Sequence, residues 1–244
     1  MIKRLSLLST LNGPKVNREK MKGACVGCLS PNATSGLCKP CHADLPANNW
    51  HCRCCALPLA HPGGDHLCGD CLTSPPPFDY SFIPWRYQYP VDSMISRYKY
   101  QGQRKFARPL IAGFVDYIEP ALAAYGVEKP DILIPSPMHP SRRRKRGFNQ
   151  ARDIAESIGT MINVPVDINI VRRAHKVQTQ RGLNRESRLA NLRGVFKVCS
   201  TVPERVAMVD DVVTTGATMR VLASVLREAG AQEIQVWALA RTPG

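Results

Sequence analysis

Between Val206 and Thr218 the chain reads VAMVDDVVTTGAT, a stretch whose residue types suit a phosphorylated sugar. Asp210 and Asp211 bring acceptor oxygens and no donors, which fits the vicinal hydroxyls of a sugar. Thr214, Thr215, Gly216, Ala217 and Thr218 then form a run of small residues ahead of a helical pattern. Such a loop aims free backbone N–H groups and the positive end of the helix dipole outward, with threonine hydroxyls to add. A phosphate monoester would sit there, and the two parts together describe a ribose 5-phosphate site. An ordinary strand-to-helix turn with Asp at a switch point, or an Asp-based metal site, would use the same residue types. The strand and helix patterns on either side favour the sugar phosphate.

A second chemistry lies in the cysteines. Nine of the ten fall between Cys25 and Cys71, eight of them in the pairs Cys25/Cys28, Cys38/Cys41, Cys52/Cys55 and Cys68/Cys71. A C-x-x-C turn brings two thiolates to one metal, and two turns complete a closed tetrahedral Cys₄ shell. Four pairs therefore make two structural zinc sites. Consecutive pairing is the simplest assignment, and interleaved pairing stays open. An iron-sulfur cluster or a disulfide knot is the competing account, and the regular two-residue spacing favours zinc. Cys54, His42, His51, His61 and His66 are expected to be bystanders. A module with so few apolar residues needs its metal to fold, and closed sites suit docking rather than catalysis.

Two basic stretches complete the chemistry. Arg142 to Arg146 are five consecutive cations in SPMHPSRRRKRGFNQ, which follows the short apolar strand DILIP. A loop at the carboxyl end of a parallel strand faces the ligand crevice, so Arg142, Lys145 and Arg146 are candidates to clamp a pyrophosphate. A solvated or nucleic-acid-binding run is the other reading. Arg172 to Arg193 carries seven Lys or Arg against one Glu and almost no apolar periodicity. It reads as a mobile basic loop able to close over a ligand, with Gln180, Arg188 and Asn191 as contacts.

The elements that must position these groups follow from periodicity. Val206 to Val209 suits a buried strand that the acidic pair ends, and the helix after Thr218 has apolar positions at Val221, Leu222, Val225, Leu226 and Ala229. Asp79 to Tyr89 suggests a strand pair. Val91 to Tyr100 and Lys105 to Tyr125 suggest helices, the second broken near Pro120. A helix with Phe148, Ala151, Ile154, Ala155, Ile158 and Ile162 on one face follows the basic run. Phe196 to Val198 and Glu233 to Arg241 close the set. Arg97 to Gly102 (RYKYQG) mixes basic and aromatic residues, which could stack and pair with a nucleotide, although a solvated helix end is the reading the pattern favours.

Composition sets the outer bounds. The 244 residues can bury one sizeable core plus a small module, and Ser74-Pro75-Pro76-Pro77 marks the division. A net charge of +14 favours phosphorylated molecules, nucleic acid or an anionic surface as partners. No apolar run approaches the ~20 residues of a membrane span. The start MIKRLSLLSTL lacks a cleavage site, so a signal peptide is not expected, and Met21 offers another start. The expected organisation is a basic, disordered extension over residues 1–24, a double zinc ribbon over 25–74 and an α/β domain over 78–244.

The stretch from Val206 to Thr218 resembles the 5-phosphoribosyl 1-pyrophosphate (PRPP) loop of type I phosphoribosyltransferases. That resemblance implies that Thr214 to Thr218 hold the 5-phosphate and Asp210 and Asp211 the ribose hydroxyls, with Val212 and Val213 inside the binding segment. The whole combination is similar to the competence protein F (ComF) family, also called GntX-like. It comprises the double ribbon, Lys99 to Gly102, PSP with RGFNQA, then Gln180, Arg188 and Asn191, and DDVVTTGAT. Ala56 stands where the family commonly has Gly, and Cys54 is extra. The resemblance implies an α/β, type I phosphoribosyltransferase-like parallel sheet flanked by helices, two zinc ions and magnesium with PRPP. It also implies a protein that handles single-stranded DNA with a helicase-like partner during natural transformation, and the metal-binding cysteine pattern adds the expectation of a reducing, cytoplasmic compartment. An active phosphoribosyltransferase with an unknown acceptor is the alternative, and its oxocarbenium-like transition state asks for electrostatics and positioning rather than a nucleophile.

Overall fold

The computed structural model describes residues 23–60, 67–173 and 194–243. Two five-residue helices, α1 (Lys39–Ala43) and α2 (Gly69–Thr73), begin directly after Cys38 and Cys68. There follow β1 (Tyr80–Phe82), β2 (Trp85–Arg86), α3 (Val91–Gln101), a 3-10 turn, α4 (Ala107–Tyr125) and β3 (Ile132–Pro135). The basic run forms α5 (Pro140–Arg146), and α6 (Gln150–Ile162), β4 (Val171–Arg173) and β5 (Phe196–Val198) come next. The chain then builds β6 (Arg205–Val213), α7 (Ala217–Glu228) and β7 (Glu233–Arg241).

β6 and β7 are near-continuous apolar runs because a parallel strand is covered on both faces. They form the centre of a sheet ordered β1-β7-β6-β3, with every pairing parallel, and β2 also pairs with β7. Alternation sends Ala207 and Val209 toward a layer holding Ile95, Phe114 and Ile154, and Val206 and Met208 toward one holding Leu222 and Leu226. Helices thus flank the sheet on both sides, as expected of the α/β class. β4 and β5 make a separate antiparallel pair.

Several expectations need correction. β6 does not stop at the acidic pair: it runs through Asp210 and Asp211 to Val213, because β7 pairs with it as far as Val213↔Arg241. The strand pair expected over Asp79 to Tyr89 is present as β1 and β2, but each pairs with β7 and not with the other, and Ile83-Pro84 separates them. α4 continues through Pro120, which sits on the exposed side while Phe114, Ile118, Ala121 and Leu122 anchor the buried face. Water can take the carbonyl that proline leaves unpaired. Phe148 precedes α6, and Ala229 caps α7 from outside it.

The cysteine-rich segment packs directly on the sheet and its helices. Cys25, Ala33, Leu37, Cys38 and Leu45 share one buried cluster with Trp85, Phe114 and Trp237. The amide of Arg86 donates to Pro46 at 2.8 Å, and Asn48 Nδ2 donates to the carbonyls of Ala56 at 2.9 Å and Ile83 at 3.3 Å. Ser74 and Pro77, at the ends of the proline stretch, accept from Arg220 and Arg227 of α7.

Candidate functional site

The Thr/Gly loop is built by three backbone events. β6 ends at Val213, Gly216 takes a left-handed conformation (φ 73°), and α7 starts at Ala217, whose amide donates to Thr215 Oγ1 at 3.4 Å. Only glycine enters that φ region without steric cost. Asp211 continues the face of Ala207 and Val209, which packs into the cluster holding Ile95 and Ile154. Lys99, in the last turn of α3, reaches it there, its Nζ 2.9 Å from Asp211 Oδ1. The pair is well shielded, with 14 % of the lysine side chain and 9 % of the aspartate side chain exposed. The expected solvated end of α3 is therefore wrong at Tyr98 and Lys99: Tyr98 is buried and donates to Asp153 at 2.8 Å.

Asp210 accepts from the amide of Asp211 at 2.9 Å. Burial, then the adjacent charge of Asp211, push its carboxyl up to about 7, against the opposing pull of that amide, Lys99 and Ser136.

The RGFNQA segment turns two helices toward the acidic pair. Gly147 ends α5 in the left-handed region (φ 81°), and Asn149 caps α6 by accepting from the amide of Ala151 at 3.1 Å. Asn149 Nδ2 also donates to the carbonyl of Ser136 at 3.2 Å, tying α6 to the loop after β3. Arg146 donates to Gln150 at 3.2 Å. The basic run is helical rather than a plain connection, so Arg142 and Arg146, four residues apart, share a face.

These elements enclose a cleft of about 370 Å³ at the carboxyl ends of β3 and β6. Of the residues singled out from sequence, Asp210, Asp211, Val212, Thr214, Thr218, Arg142 and Arg146 line it. Val213, Thr215 and Gly216 instead border a cavity of about 380 Å³ beneath the second cysteine centre, and Ala217 is exposed. Gln180, Arg188 and Asn191 lie outside the described residues, as does the side chain of Lys145. Arg172 and Arg173, expected in the mobile loop, belong to β4, and Arg173 lines the cleft.

Sequence reasoning missed the cleft roles of Lys99, Tyr100 and Asn149. The signals were available, since Lys99 and Tyr100 belong to the Lys-Tyr-x-Gly element and Asn149 to RGFNQA. Chemically the cleft offers two carboxylates, two threonine hydroxyls and the cations Lys99, Arg142, Arg146 and Arg173. That set can hold a molecule with both hydroxyls and phosphates.

The cysteines separate into two groups, Cys25/Cys28/Cys38/Cys41 and Cys52/Cys55/Cys68/Cys71, with the sulfurs of each within 4.8 Å of one another. Consecutive pairing is thus the one adopted. Contacts across pairs include 3.5 Å (Cys28 to Cys38) and 3.6 Å (Cys55 to Cys68). A zinc tetrahedron with ~2.3 Å bonds has edges of about 3.8 Å, so each group fits one ion of its own. Cys54 is outside the four-sulfur set, packs against it, and donates to the carbonyl of Phe78 at 3.5 Å. The residue after each first C-x-x-C pair is left-handed, Leu29 (φ 64°) and Ala56 (φ 55°), which explains a family preference for Gly where Ala56 stands.

Comparison with known proteins places the chain. No family model matches it. It is 34 % identical to competence protein F of Haemophilus influenzae over 213 residues, covering 86 % of this chain and 92 % of that protein. It is 32 % identical to the DNA utilization protein YhgH of Shigella flexneri over 224 residues, covering 90 % and 97 %. Among solved structures, the purine phosphoribosyltransferase of Pyrococcus horikoshii overlaps 55 % of this chain and 70 % of its own, at 18 % identity and a TM-score of 0.33. On the strength of its extended identity to competence protein F, the chain belongs to the competence protein F family.

Proposed function

We propose that the cleft binds PRPP or a related phosphoribosyl ligand together with Mg²⁺, and that the protein works in DNA uptake during natural transformation. The observation that carries the first part is convergence. Asp210 and Asp211 from β6, Thr214 and Thr218 from the loop and α7, Lys99 from α3 and Arg142 and Arg146 from α5 all border one cavity. In this reading the loop from Thr214 to Thr218 takes the 5-phosphate and the acidic pair takes the ribose hydroxyls. Arg142, Lys145 and Arg146, with Gln180 and Arg188 from the basic segment, attend the pyrophosphate. The relatives' names, competence protein F and DNA utilization protein, support the second part.

Single-stranded DNA is the proposed macromolecular partner, with a helicase-like protein acting beside it in the cytoplasm. An exposed Tyr100 ring with Arg146 5.1 Å from its centroid supplies a stacking surface at the cleft mouth. The residues 25–74 are proposed to act as a zinc-bearing module on a domain formed by 78–244. A second reading, transfer of the phosphoribosyl group to an acceptor, is favoured by Arg142, Arg146 and Arg173, whose charges at the cleft would neutralise a departing pyrophosphate.

The deciding experiment is calorimetric titration of zinc-loaded protein with PRPP and Mg²⁺, repeated on the double variant Asp210→Asn, Asp211→Asn. Saturable binding that the variant loses is the expected result. No binding at millimolar PRPP would leave DNA and protein partners to carry the function. Pyrophosphate release on adding nucleobases would select the transferase reading.

A further inference from the structure

Arg241, at the end of β7, is buried, and its guanidinium touches two functional regions at once. Nη1 donates to the carbonyls of Val213 at 3.3 Å and Thr242 at 3.0 Å, and to that of Thr214. Nε donates to the carbonyl of Cys55 at 3.1 Å, and Cys55 belongs to the second cysteine centre. One planar cation therefore joins the metal centre to the Thr/Gly loop.

The consequence follows from peptide geometry. In a trans peptide the C=O and N–H point in opposite directions. Holding the carbonyls of Val213 and Thr214 toward Arg241 turns the N–H groups of Thr214 and Thr215 to the other side of the chain. The Cys55 carbonyl is fixed in the same way, because the amide in its peptide plane, that of Ala56, donates to Cys52 at 2.8 Å. The C-x-x-C turn that shapes the metal centre thus also aims the carbonyl that Arg241 grips.

We propose that Arg241 is a positioning residue that couples metal occupancy of the second centre to the conformation of the loop Thr214–Gly216. With the centre loaded, Cys55 anchors Arg241 and the loop presents its N–H groups to an anion. With the centre empty, the anchor loosens and the loop loses that arrangement. The ligand's identity rests on the phosphoribosyl reading above, whereas the coupling does not.

The test compares wild type, Arg241→Lys, Cys71→Ser and the double variant. Lysine keeps the charge but not the planar fork, and Cys71→Ser disables the second centre while leaving Cys55 in place. Deuterium uptake by the segment Val213–Thr218 is read by mass spectrometry, and ribose 5-phosphate affinity by calorimetry. Uptake is expected to rise in each single variant and to rise no further in the double, with affinity falling about tenfold or more, the scale of losing hydrogen bonds to a charged group. If Cys71→Ser does not fold, Cys71→His, which keeps a weaker ligand, gives the comparison against graded chelator. Loop uptake that ignores loss of the metal, or effects that simply add, would overturn the coupling. Absence of ribose 5-phosphate binding by loaded wild type would sink the phosphoribosyl reading, leaving the coupling to be decided by the exchange data.

Discussion

Lys99 Nζ lies 2.9 Å from Asp211 Oδ1 across residues 112 positions apart in the chain, and this pair joins the end of α3 to the end of β6. Both charges also act on the neighbouring Asp210 carboxyl, which burial raises most, Asp211 raises further and Lys99 draws downward.

Replacing Lys99 with Met leaves Asp211 without its cation in a shielded place. The expected loss of stability is about 1–3 kcal/mol, between the values for exposed and buried pairs. Urea unfolding checks this, and adding Asp211→Asn to Lys99→Met should restore part of it. Full additivity of the two substitutions would contradict a direct interaction.

The Asp210 carboxyl, raised to about 7, starts from ~3.9 in an unfolded chain. Between those values the folded state holds a proton that the unfolded chain has released, so stability falls as pH rises through that window. Ligand binding runs the opposite way. A carboxylate accepting two hydroxyl bonds must be ionised, so ribose 5-phosphate affinity weakens as pH drops below about 7. Phosphate ionisation near pH ~6 adds a slope of its own, which Asp210→Asn retains. The difference between the two titration profiles isolates Asp210, and superimposable profiles would remove it from the site.

The two sides of α5 should separate two ligands. Arg142 and Arg146 border the cleft, whereas Arg143 borders a neighbouring cavity of about 450 Å³ with Arg104, Arg152 and Arg172. Arg142→Ala with Arg146→Ala should weaken PRPP strongly. Arg143→Ala with Arg144→Ala should spare PRPP and reduce the salt slope of single-stranded DNA binding by about 0.7 per lost phosphate contact. Equal effects of both double variants on PRPP would merge the two surfaces.

Metal removal should reach the sheet as well as the ribbons. Cys25→Ser and Cys52→Ser are each expected to lower bound zinc by one of two equivalents, measured by atomic emission. Cys25 and Cys38 share a buried cluster with Phe114 and Trp237, so losing the first centre should lower the melting temperature of the whole molecule. An unchanged melting curve after Cys25→Ser would show that the two parts unfold independently.

Much of this was legible in the sequence because it depends on local pattern. DDVVTTGAT contains both the strand and the turn, and four C-x-x-C pairs declare their chemistry through spacing alone. The misreadings have a common physical cause. The acidic pair stays within β6 because β7, distant in sequence, still pairs with it. Lys99 looks like a solvated helix end until β6 brings Asp211 beside it. Arg241 carries no local signal, being one basic residue in an apolar strand. Its role exists only once Cys55 and Thr214 have been folded against it.

The position of β7 has a consequence for synthesis. It is the strand on which β1, β2 and β6 all pair, yet it follows all three in the chain. At about 5–20 residues per second, translation leaves β6 with an open edge for a second or more after it is made. Unpaired edges of apolar strands are sites of association between chains. A nascent chain of this protein therefore needs either shielding during that interval or a slow ribosome-bound collapse around β7.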